Sequence, residues 1–353
     1  MAVTNDLVTD RRVARHRQTL QEAGFEVSLI GRNDIKTRHQ RGWRFYAEYN
    51  IKLRRRMKEL RPDVVWANDT DTLLGGWMAA RQLGCKLVMD AHELFPEVPE
   101  IQHKPLVKWV WRSIERHLMK RCDALLTVCQ SIADYYQDLY GVTMTVVRNI
   151  SGKATDADGV AQPPTTNHQQ PTLLYQGCVN VGRGVDWAID AIEWLPECRL
   201  VVAGGGDLLE EMKAYAASKP WADRIRFLGQ VPPAELPALT RAADVGLVML
   251  EEMGLSYHFA LPNRIGDFVA AGVPMVVSDM PEMASVVRRY NIGEVIDRLP
   301  GADDKDKARA LAEAVSRVLA REWNEADFAA AREDMDWDKE KKKLINIARN
   351  LKL

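Results

Sequence analysis

The chain has few of the features that mark secreted, membrane-spanning or disulfide-bonded proteins. Only five of its 353 residues are cysteines, and no two of them have the C-x-x-C spacing. This excludes a disulfide framework and a zinc knuckle. No apolar run approaches the roughly 18 residues that cross a bilayer, and the first ten residues lack the segments of a signal peptide. We therefore expect a cytoplasmic protein with reduced thiols.

Composition excludes disorder, and charge distribution separates the two halves of the chain. Hydrophobic residues make up 46% of the sequence and charged residues 27%. A chain of this size and composition predicts two domains with ample cores. Residues 1–150 carry 24 Lys or Arg and 18 Asp or Glu, a net +6, whereas residues 151–353 carry 24 and 31, a net −7. The two halves are therefore expected to meet different partners, and a nucleic-acid partner is not expected.

Short apolar runs of strand length alternate with longer amphipathic segments along the chain. The predicted strands lie at residues 26–30, 63–66, 86–89, 124–128, 145–147, 172–175, 199–203, 225–228, 245–250, 274–278 and 294–296. This alternation is typical of βαβ units, in which helices cover both faces of a parallel sheet. The predicted fold class is α/β.

The alternation breaks once, at residues 151–170, which are rich in Pro, Gly, Thr and Gln and poor in core residues. We interpret this segment as a linker between a Rossmann-like domain at 1–150 and a second one at 171–335. Two such domains would face each other across a cleft lined by the carboxyl ends of both sheets.

The segment at residues 256–278, SYHFALPNRIGDFVAAGVPMVVS, is the most informative motif. Pro262 suits the first turn of a helix and Gly272 suits its end, so the amides near Pro262 and Asn263 would be free to bind phosphate. Asp267 lies on the polar side of this helix, where a carboxylate can accept both ribose hydroxyls. The alternative is a capped surface helix with a solvated Asp267.

Two glycine-rich turns follow predicted strands in the second half. In YQGCVNVGRGVD, Gly177, Gly182 and Gly184 permit close backbone approach, and Arg183 can act as a fork for a diphosphate. The spacing matches neither a P-loop nor G-x-G-x-x-G, so a turn with a surface arginine is the alternative. We interpret the second turn, within VVAGGGDLLE at residues 201–210, as an ordinary strand-to-helix connection, the alternative being that its glycines let a ligand approach.

In the first half, His92 follows a predicted strand end, near Asp90 and Glu93, which could tune its titration. A structural or merely exposed histidine is the alternative. Asp69 and Asp71 form a D-x-D pair that could hold a metal, although N-capping of the following helix explains it more simply.

A basic band recurs every fourth residue in the first half. It consists of Lys104, Lys108, Arg112, Arg116 and Lys120, with Trp109 and Trp111 close by. On a helix this band could contact an anionic membrane at the inner face. The alternative is a solvated face on a helix that buries Val107, Val110, Ile114 and Leu118.

In their order, these segments resemble the family 4 retaining glycosyltransferases of the two-Rossmann, or GT-B, architecture, over nearly the whole chain. The matching segments are residues 5–32, DAHE at 90–93, VVRNI at 146–150, YQG and GRG within 175–184, RIRFLGQV at 224–231 and the LPN segment through Asp279.

The resemblance implies transfer of a hexosyl group from a UDP- or GDP-sugar to a glycan, lipid-linked or small-molecule acceptor, as in polysaccharide biosynthesis, with retention and without metal or cofactor. It implies catalytic roles for His92, facing the donor sugar, and for Arg183, at the diphosphate. Asp267 would hold the ribose, and a final helix within 336–353 would pack on the first domain. The full donor-binding set is Gly177, Asn180, Arg183, Gln230, Val231, Tyr257, Leu261, Pro262, Asn263 and Asp267.

Three departures from the family pattern leave other functions open. Phe259 and Asp267 occupy the places of the family's two glutamates, Asn5-Asp6 replaces a glycine-rich turn, and Arg183 stands where many relatives present an Arg and a Lys. The alternatives are a nucleotide-sugar epimerase of the same architecture, a non-catalytic nucleotide-sugar-binding subunit, and a metal-dependent transferase that uses Asp69 and Asp71.

Overall fold

The strands form two parallel sheets. The computed structural model describes residues 1–5, 7, 10–150, 170–297 and 301–351. Over these residues the strands are β1 (Val64–Asn68), β2 (Lys86–Ala91), β3 (Ala124–Thr127), β4 (Thr145–Val146), β5 (Thr172–Gln176), β6 (Arg199–Ala203), β7 (Ile225–Gly229), β8 (Val245–Val248), β9 (Met275–Ser278) and β10 (Gly293–Ile296). The predicted α/β class, with two parallel-sheet domains, is confirmed.

Helices connect nearly all of these strands, as a parallel sheet requires. The helices are α1 (Arg11–Glu22), α2 (Gly42–Leu60), α3 (Thr70–Leu83), α4 (Pro105–Leu118), α5 (Gln130–Tyr140), α6 (Val185–Ala191), α7 (Leu209–Ala217), α8 (Leu236–Arg241), α9 (Leu255–His258), α10 (Asn263–Ala271), α11 (Pro281–Tyr290), α12 (Asp304–Leu319), α13 (Glu325–Asp334) and α14 (Trp337–Leu351).

The first sheet has the order β1-β2-β3-β4. Ala2 forms single parallel bridges to Ile30 and to Ala67. The strand predicted at residues 26–30 is wrong, because Ile30 makes only this isolated bridge and the rest of the segment has no ladder. Alternating apolar residues favour an extended chain there, but a strand also needs a neighbour with which to form consecutive hydrogen bonds.

The second sheet has the order β10-β9-β8-β5-β6-β7. The chain therefore runs outward from β5 through β6 to β7, and then returns to the other side of β5 to form β8. Strands β5 and β8 are neighbours, with Leu174 opposite Gly246. Ligands bind at such reversals in open α/β sheets, beyond the carboxyl ends of the strands.

Buried apolar side chains hold each sheet against its helices. In the second sheet the core includes Leu173, Tyr175 and Leu247, against which α6 and α12 pack. Gly272 ends α10 with φ +70°, a left-handed conformation that glycine adopts without strain, as the sequence predicted.

Residue contacts divide the chain into two units that differ from the predicted boundaries. The first comprises Met1–Asn149, Gly254–Phe259 and Asp338–Leu353, and the second comprises Ile150–Met253 and Ala260–Trp337. Helix α14 thus belongs mainly to the first unit. The predicted linker, apart from Gln170, and Asp6 of the Asn5-Asp6 turn lie outside the described residues.

Candidate functional site

The loops that follow β5 and β6 pack backbone against backbone. Gly204 and Gly206 have φ +156° and +153°, and a Cβ atom at Gly204 would lie 1.8 Å from the carbonyl oxygen of Gly177. The Val179 N–H donates to the carbonyl of Gly205 at 2.8 Å. The turn at residues 203–210 is therefore more than an ordinary connection, because only glycine permits this approach of the two loops.

Asn180 and Arg183 lie in the β5 loop. The side-chain oxygen of Asn180 accepts a hydrogen bond from the Asp207 N–H at 2.9 Å, which joins this loop to the next one. Arg183 is partly exposed, and Gly184 directly after it has φ +66°. A Cβ atom at Gly184 would lie 2.5 Å from Cβ of Met249, so glycine is required at the entry to α6.

The loop after β7 reaches the same edge of the sheet. The Gly204 N–H donates to the carbonyl of Gly229 at 2.7 Å, and Gln230 next to it is exposed. A Cβ atom at Gly205 would lie 3.6 Å from Oε1 of Gln230. The structure therefore places Gln230 and Val231 beside the glycine loops, at the carboxyl end of the sheet.

Asp267 is held by a chain of side-chain hydrogen bonds. Nε2 of Gln176 donates to Oδ2 of Asp267 at 3.0 Å, and the hydroxyl of Thr240 donates to Oε1 of Gln176 at 2.9 Å. Gln176 and Thr240 are buried, whereas Asp267 is partly exposed. The buried Gln176 thus orients the carboxylate of Asp267, and the Asp267 residue remains partly exposed to solvent. The sequence motif did not indicate Gln176, although it ends the strand from which the glycine loop departs.

Pro262 is the N-cap of α10, with Leu261 before it and Asn263 as the first helical residue. Proline offers no side-chain acceptor to the first-turn amides, so the helix start has capacity for an anion. Arg264, in this first turn, is buried rather than solvated, and its Nη1 donates to the carbonyl of Gln176 at 3.0 Å. The helical pattern of the sequence does not indicate a role for Arg264.

Tyr257 is assigned to the other unit of the chain. It is on the short helix α9, within the segment Gly254–Phe259 that belongs to the first unit. Its neighbour Ser256 donates to Glu93 at 3.4 Å, and Sγ of Cys129 donates to the carbonyl of Phe259 at 3.2 Å.

In the first unit, His92 follows β2 and lies between two carboxylates. Its Nδ1 is 3.4 Å from Oδ2 of Asp69, and its Nε2 is 3.5 Å from Oδ2 of Asp90. The backbone N–H of His92 also donates to Oδ1 of Asp69 at 2.7 Å. Asp69 has φ +60°, an uncommon value for a residue with a side chain. Strained backbone of this kind clusters at functional sites.

Asp90 also forms an ion pair with Arg12, a residue that the sequence pattern does not indicate. Arg12 on α1 binds both of its carboxylate oxygens, at 3.0 Å from Nε and 2.5 Å from Nη2, and donates through Nη1 to the carbonyl of Val147 at 2.6 Å. Arg12 and Asp90 are fully buried. His16, also buried, places its Nδ1 3.3 Å from Asp90.

These contacts determine the charges in the cluster. Burial disfavours the imidazolium, but the carboxylates of Asp69 and Asp90 more than offset burial and raise the pKa of His92 to about 9. Burial and the adjacent Arg12 lower the pKa of His16 well below its ordinary value, so His16 is neutral. His92 is therefore a fixed cation at neutral pH.

The two carboxyl groups of the D-x-D pair have different partners. Burial and the nearby Asp69 raise the pKa of Asp71 to about 8, and the Thr4 hydroxyl donates to its carboxyl group. Asp69 is engaged with His92. Across the described residues, no three His, Cys, Asp or Glu side chains are grouped to hold a metal ion.

Two family models match the chain in succession. Glycosyltransferase family 4 matches residues 9–150, and glycosyl transferases group 1 matches residues 170–321. The chain belongs to the family 4, group 1 glycosyltransferases.

One curated relative and two solved structures illustrate what this glycosyltransferase resembles. Phosphatidyl-myo-inositol mannosyltransferase of Mycobacterium leprae is 30% identical over 182 residues, which are 47% of this chain and 43% of the relative. The match therefore spans less than half of that protein.

The solved structures share the fold over most of their length. Sucrose-phosphate synthase from Thermosynechococcus elongatus has a TM-score of 0.75 and 19% identity, covering 96% of this chain and 92% of that one. Anabaena HepE in complex with UDP-glucose has a TM-score of 0.65 and 15% identity, covering 95% and 88%. The glycosyltransferase therefore has the GT-B fold.

Helix α4 of the glycosyltransferase carries an unusual surface. Leu106, Trp109 and Val110 are 79%, 67% and 46% exposed, and Trp43 at the start of α2 is 75% exposed. Of the alternative buried stripe, Leu118 is buried, whereas Val107 and Val110 are exposed and Trp111 and Glu115 pack inward in their place. No helix of the described residues combines the length and apolar character needed to span a bilayer.

The basic band on α4 is divided. Lys108 and Arg112 point to the buried Glu97, at 2.6 and 2.5 Å. Lys104, Arg116 and Lys120 remain exposed. Three of the five basic residues therefore face solvent, and two of these, Lys104 and Lys120, lie just outside α4.

Proposed function

We propose that this glycosyltransferase moves a hexosyl group, with retention of anomeric configuration, from a UDP- or GDP-sugar to a glycan, lipid-linked or small-molecule acceptor. The observation that carries the proposal is the convergence of Asp267, the α10 N-terminus and the glycine loops at the point where the second sheet reverses strand order. That position suits a nucleotide.

The ribose and the diphosphate of the donor would meet different hydrogen-bonding groups, acceptors at the ribose and donors at the diphosphate. Asp267 can only accept hydrogen bonds, as ribose hydroxyls require, and Gln176 orients it. Arg183 and the first-turn amides of α10 can only donate, as phosphate oxygens require. Gln230 and Val231 lie beside this path and are proposed to contact the base.

Catalysis would proceed without a resident metal ion. The acceptor oxygen attacks the anomeric carbon on the face from which the diphosphate leaves, the bond from that carbon to the phosphate oxygen breaks, and the acceptor proton passes to the leaving phosphate. Arg183 would stabilise the charge that develops there. His92 would act as a fixed positive charge, supported by Asp69 and Asp90. The epimerase and the non-catalytic subunit remain alternatives to be tested.

We propose that the protein binds to a membrane surface and reaches its acceptor there. Leu106 and Trp109 of α4 are exposed near exposed Lys104 and Arg116 in the chain, and these basic residues complement an anionic lipid surface. The similar mycobacterial protein is named for a phosphatidyl-inositol acceptor. Cytoplasmic location with peripheral contact follows as part of this proposal.

The test follows nucleotide release from UDP-, GDP- and ADP-sugars with and without acceptor, in buffer and in EDTA. Acceptor-dependent release that survives EDTA is expected. Sugar products formed without acceptor would indicate an epimerase, and binding without turnover would indicate a binding subunit. Loss of activity in EDTA would indicate that the reaction needs a metal ion.

Two variants then locate the donor by calorimetry. Arg183→Ala should weaken nucleoside diphosphate roughly ten- to a hundredfold while sparing the bare nucleoside, since a charge-assisted hydrogen bond contributes about 1.5–3 kcal/mol. Asp267→Asn should weaken both ligands, because the ribose is common to them. Unchanged affinities in both folded variants would show that the donor binds elsewhere.

A further inference from the structure

Arg264 is a buried cation at the strand-order reversal of the second sheet. Only 6% of the residue is exposed. Its Nη1 donates to the carbonyl of Gln176 at 3.0 Å, at the end of β5, and its Nη2 donates to the carbonyl of Met249 at 3.3 Å, just after β8. The guanidinium therefore spans the two strands between which ligands bind in this fold class.

Carbonyl oxygens and an aromatic ring surround the positive charge of Arg264. Its neighbours are the two carbonyl oxygens and the ring of Tyr175, whose centroid is 4.7 Å from the guanidinium carbon. Among the described residues, no carboxylate forms an ion pair with Arg264, and its buried Nε has no hydrogen-bond partner. Burying an arginine in this state is costly unless an anion completes its surroundings.

The opening toward such an anion is at Gly177. This glycine is exposed and has φ +137°, and a Cβ atom placed on it would lie 3.0 Å from Nη1 of Arg264. Because Gly177 has no side chain, only its backbone separates Nη1 from the solvent on that side. A larger residue would displace the guanidinium or shield it.

A second feature points to an anion at the same place. Arg264 lies in the first turn of α10, whose N-cap is Pro262 and whose amides carry the positive end of the helix dipole. The side-chain charge and the helix start therefore add to each other, whereas most helix starts are balanced by an acidic residue or a capping oxygen.

We propose that Arg264 is a phosphate-binding cation of the donor site, which acts on the nucleoside diphosphate from beneath Gly177 in addition to Arg183. This inference rests on the proposed function. Arg264 would supply a second positive charge at the diphosphate, where the glycine loop itself offers only Arg183.

Calorimetry with UDP and uridine, GDP and guanosine, and ADP and adenosine tests the assignment. Arg264→Gln should lower the affinity for the bound diphosphate at least about tenfold and that for its nucleoside less than about threefold, because only the phosphates need the charge. Arg226→Gln, which removes an exposed arginine from β7 of the same unit, is the matched control and should change neither.

Arg264→Lys is the second variant, because it keeps the charge while it loses the forked contact with both carbonyls. We expect its ratio of diphosphate to nucleoside affinity to remain within about threefold of wild type even if its Tm falls. This variant decides the matter if Arg264→Gln does not fold.

An unchanged affinity ratio in folded Arg264→Gln would overturn the inference, and so would a tenfold loss of the ratio in folded Arg264→Lys. If the wild-type protein binds none of UDP, GDP or ADP, the proposed function fails and the inference fails with it. If the wild type binds a diphosphate and only the Arg264 expectation fails, the proposed function stands.

Discussion

His92 shows how neighbours convert an ordinary residue into a functional group. A lone histidine is normally neutral at pH 7 or titrates near it. Here Asp69 and Asp90 flank the ring, and Arg12 with neutral His16 surrounds Asp90 from behind. The charge of Asp90 is thus largely compensated, and Asp69 is the carboxylate left to pair with the imidazolium. The charges of Arg12 and His92 balance those of Asp90 and Asp69, so the cluster holds the imidazolium in a defined orientation.

His92→Gln should lower kcat about ten- to a hundredfold and change nucleotide affinity little, since it removes a charge proposed to act on the reacting sugar rather than on the nucleotide. Steady-state kinetics and calorimetry measure the two effects. A folded variant with wild-type kcat would remove His92 from the catalytic group.

The same variant reports the pKa of His92 through stability. The pKa is about 9 in the folded protein and near 6.5 in the unfolded chain, so the folded state binds the proton more tightly. This stabilisation is complete below about pH 6.5 and is lost as pH rises through 9. The difference in unfolding free energy between wild type and His92→Gln should therefore shrink between pH 6 and pH 10 in urea titrations. A constant difference would contradict the assigned pKa.

At the scale of the element, α4 contributes to both packing and surface chemistry. Its buried side carries Glu115, which accepts hydrogen bonds from Thr70 at 2.6 Å and Tyr136 at 2.9 Å. Its first turns expose Leu106 and Trp109 to solvent. Thr70 begins α3 directly after Asp69, so α4 is hydrogen-bonded to the residue next to a member of the His92 cluster.

Leu106→Ser combined with Trp109→Ala should lower binding to anionic liposomes at least about tenfold, because each exposed apolar side chain contributes roughly 1.5–3 kcal/mol when it leaves water. Sedimentation at low salt measures the effect. Val181→Ser, which changes a 57% exposed valine of the second unit, is the control and should bind as wild type. Equal binding of wild type to anionic and neutral liposomes would remove the membrane from the proposal.

At the scale of the whole molecule, the first unit is built from three separate stretches of the chain. Glu340 on α14 has a fully buried side chain, and its Oε1 lies 2.9 Å from Nε of Arg148. The Arg148 N–H also donates to Oε2 of Glu340 at 3.1 Å. Residues nearly two hundred positions apart therefore hold the carboxyl-terminal helix on the first unit.

Glu340→Ala should destabilise the first unit by roughly 2–3 kcal/mol, less than a fully buried pair because Arg148 is 22% exposed. Lys341→Ala on the same helix removes an exposed pair with Asp338 and should cost under about 0.5 kcal/mol. Urea unfolding of both variants measures the difference. Equal stability of the two would show that α14 is not held through Glu340.

The local pattern of the sequence determined the fold class, the parallel strands and the ends of α10, because alternation of apolar runs, proline at a helix start and glycine at its end act over a few residues. It also indicated Asp267 and the first glycine loop as candidates. It could not indicate that residues 26–30 would lack a partner strand, since pairing depends on a distant segment.

Only the tertiary structure placed Arg12 behind Asp90, Gln176 beneath Asp267 and Arg264 beneath Gly177. Nothing in a helical or strand pattern distinguishes these polar residues from solvated ones. Their roles come from burial next to groups that lie about 80 to 90 positions away along the chain. Removal from water is what makes an unbalanced charge or an oriented amide strong enough to act on a ligand, and the fold alone decides which side chains are removed from water.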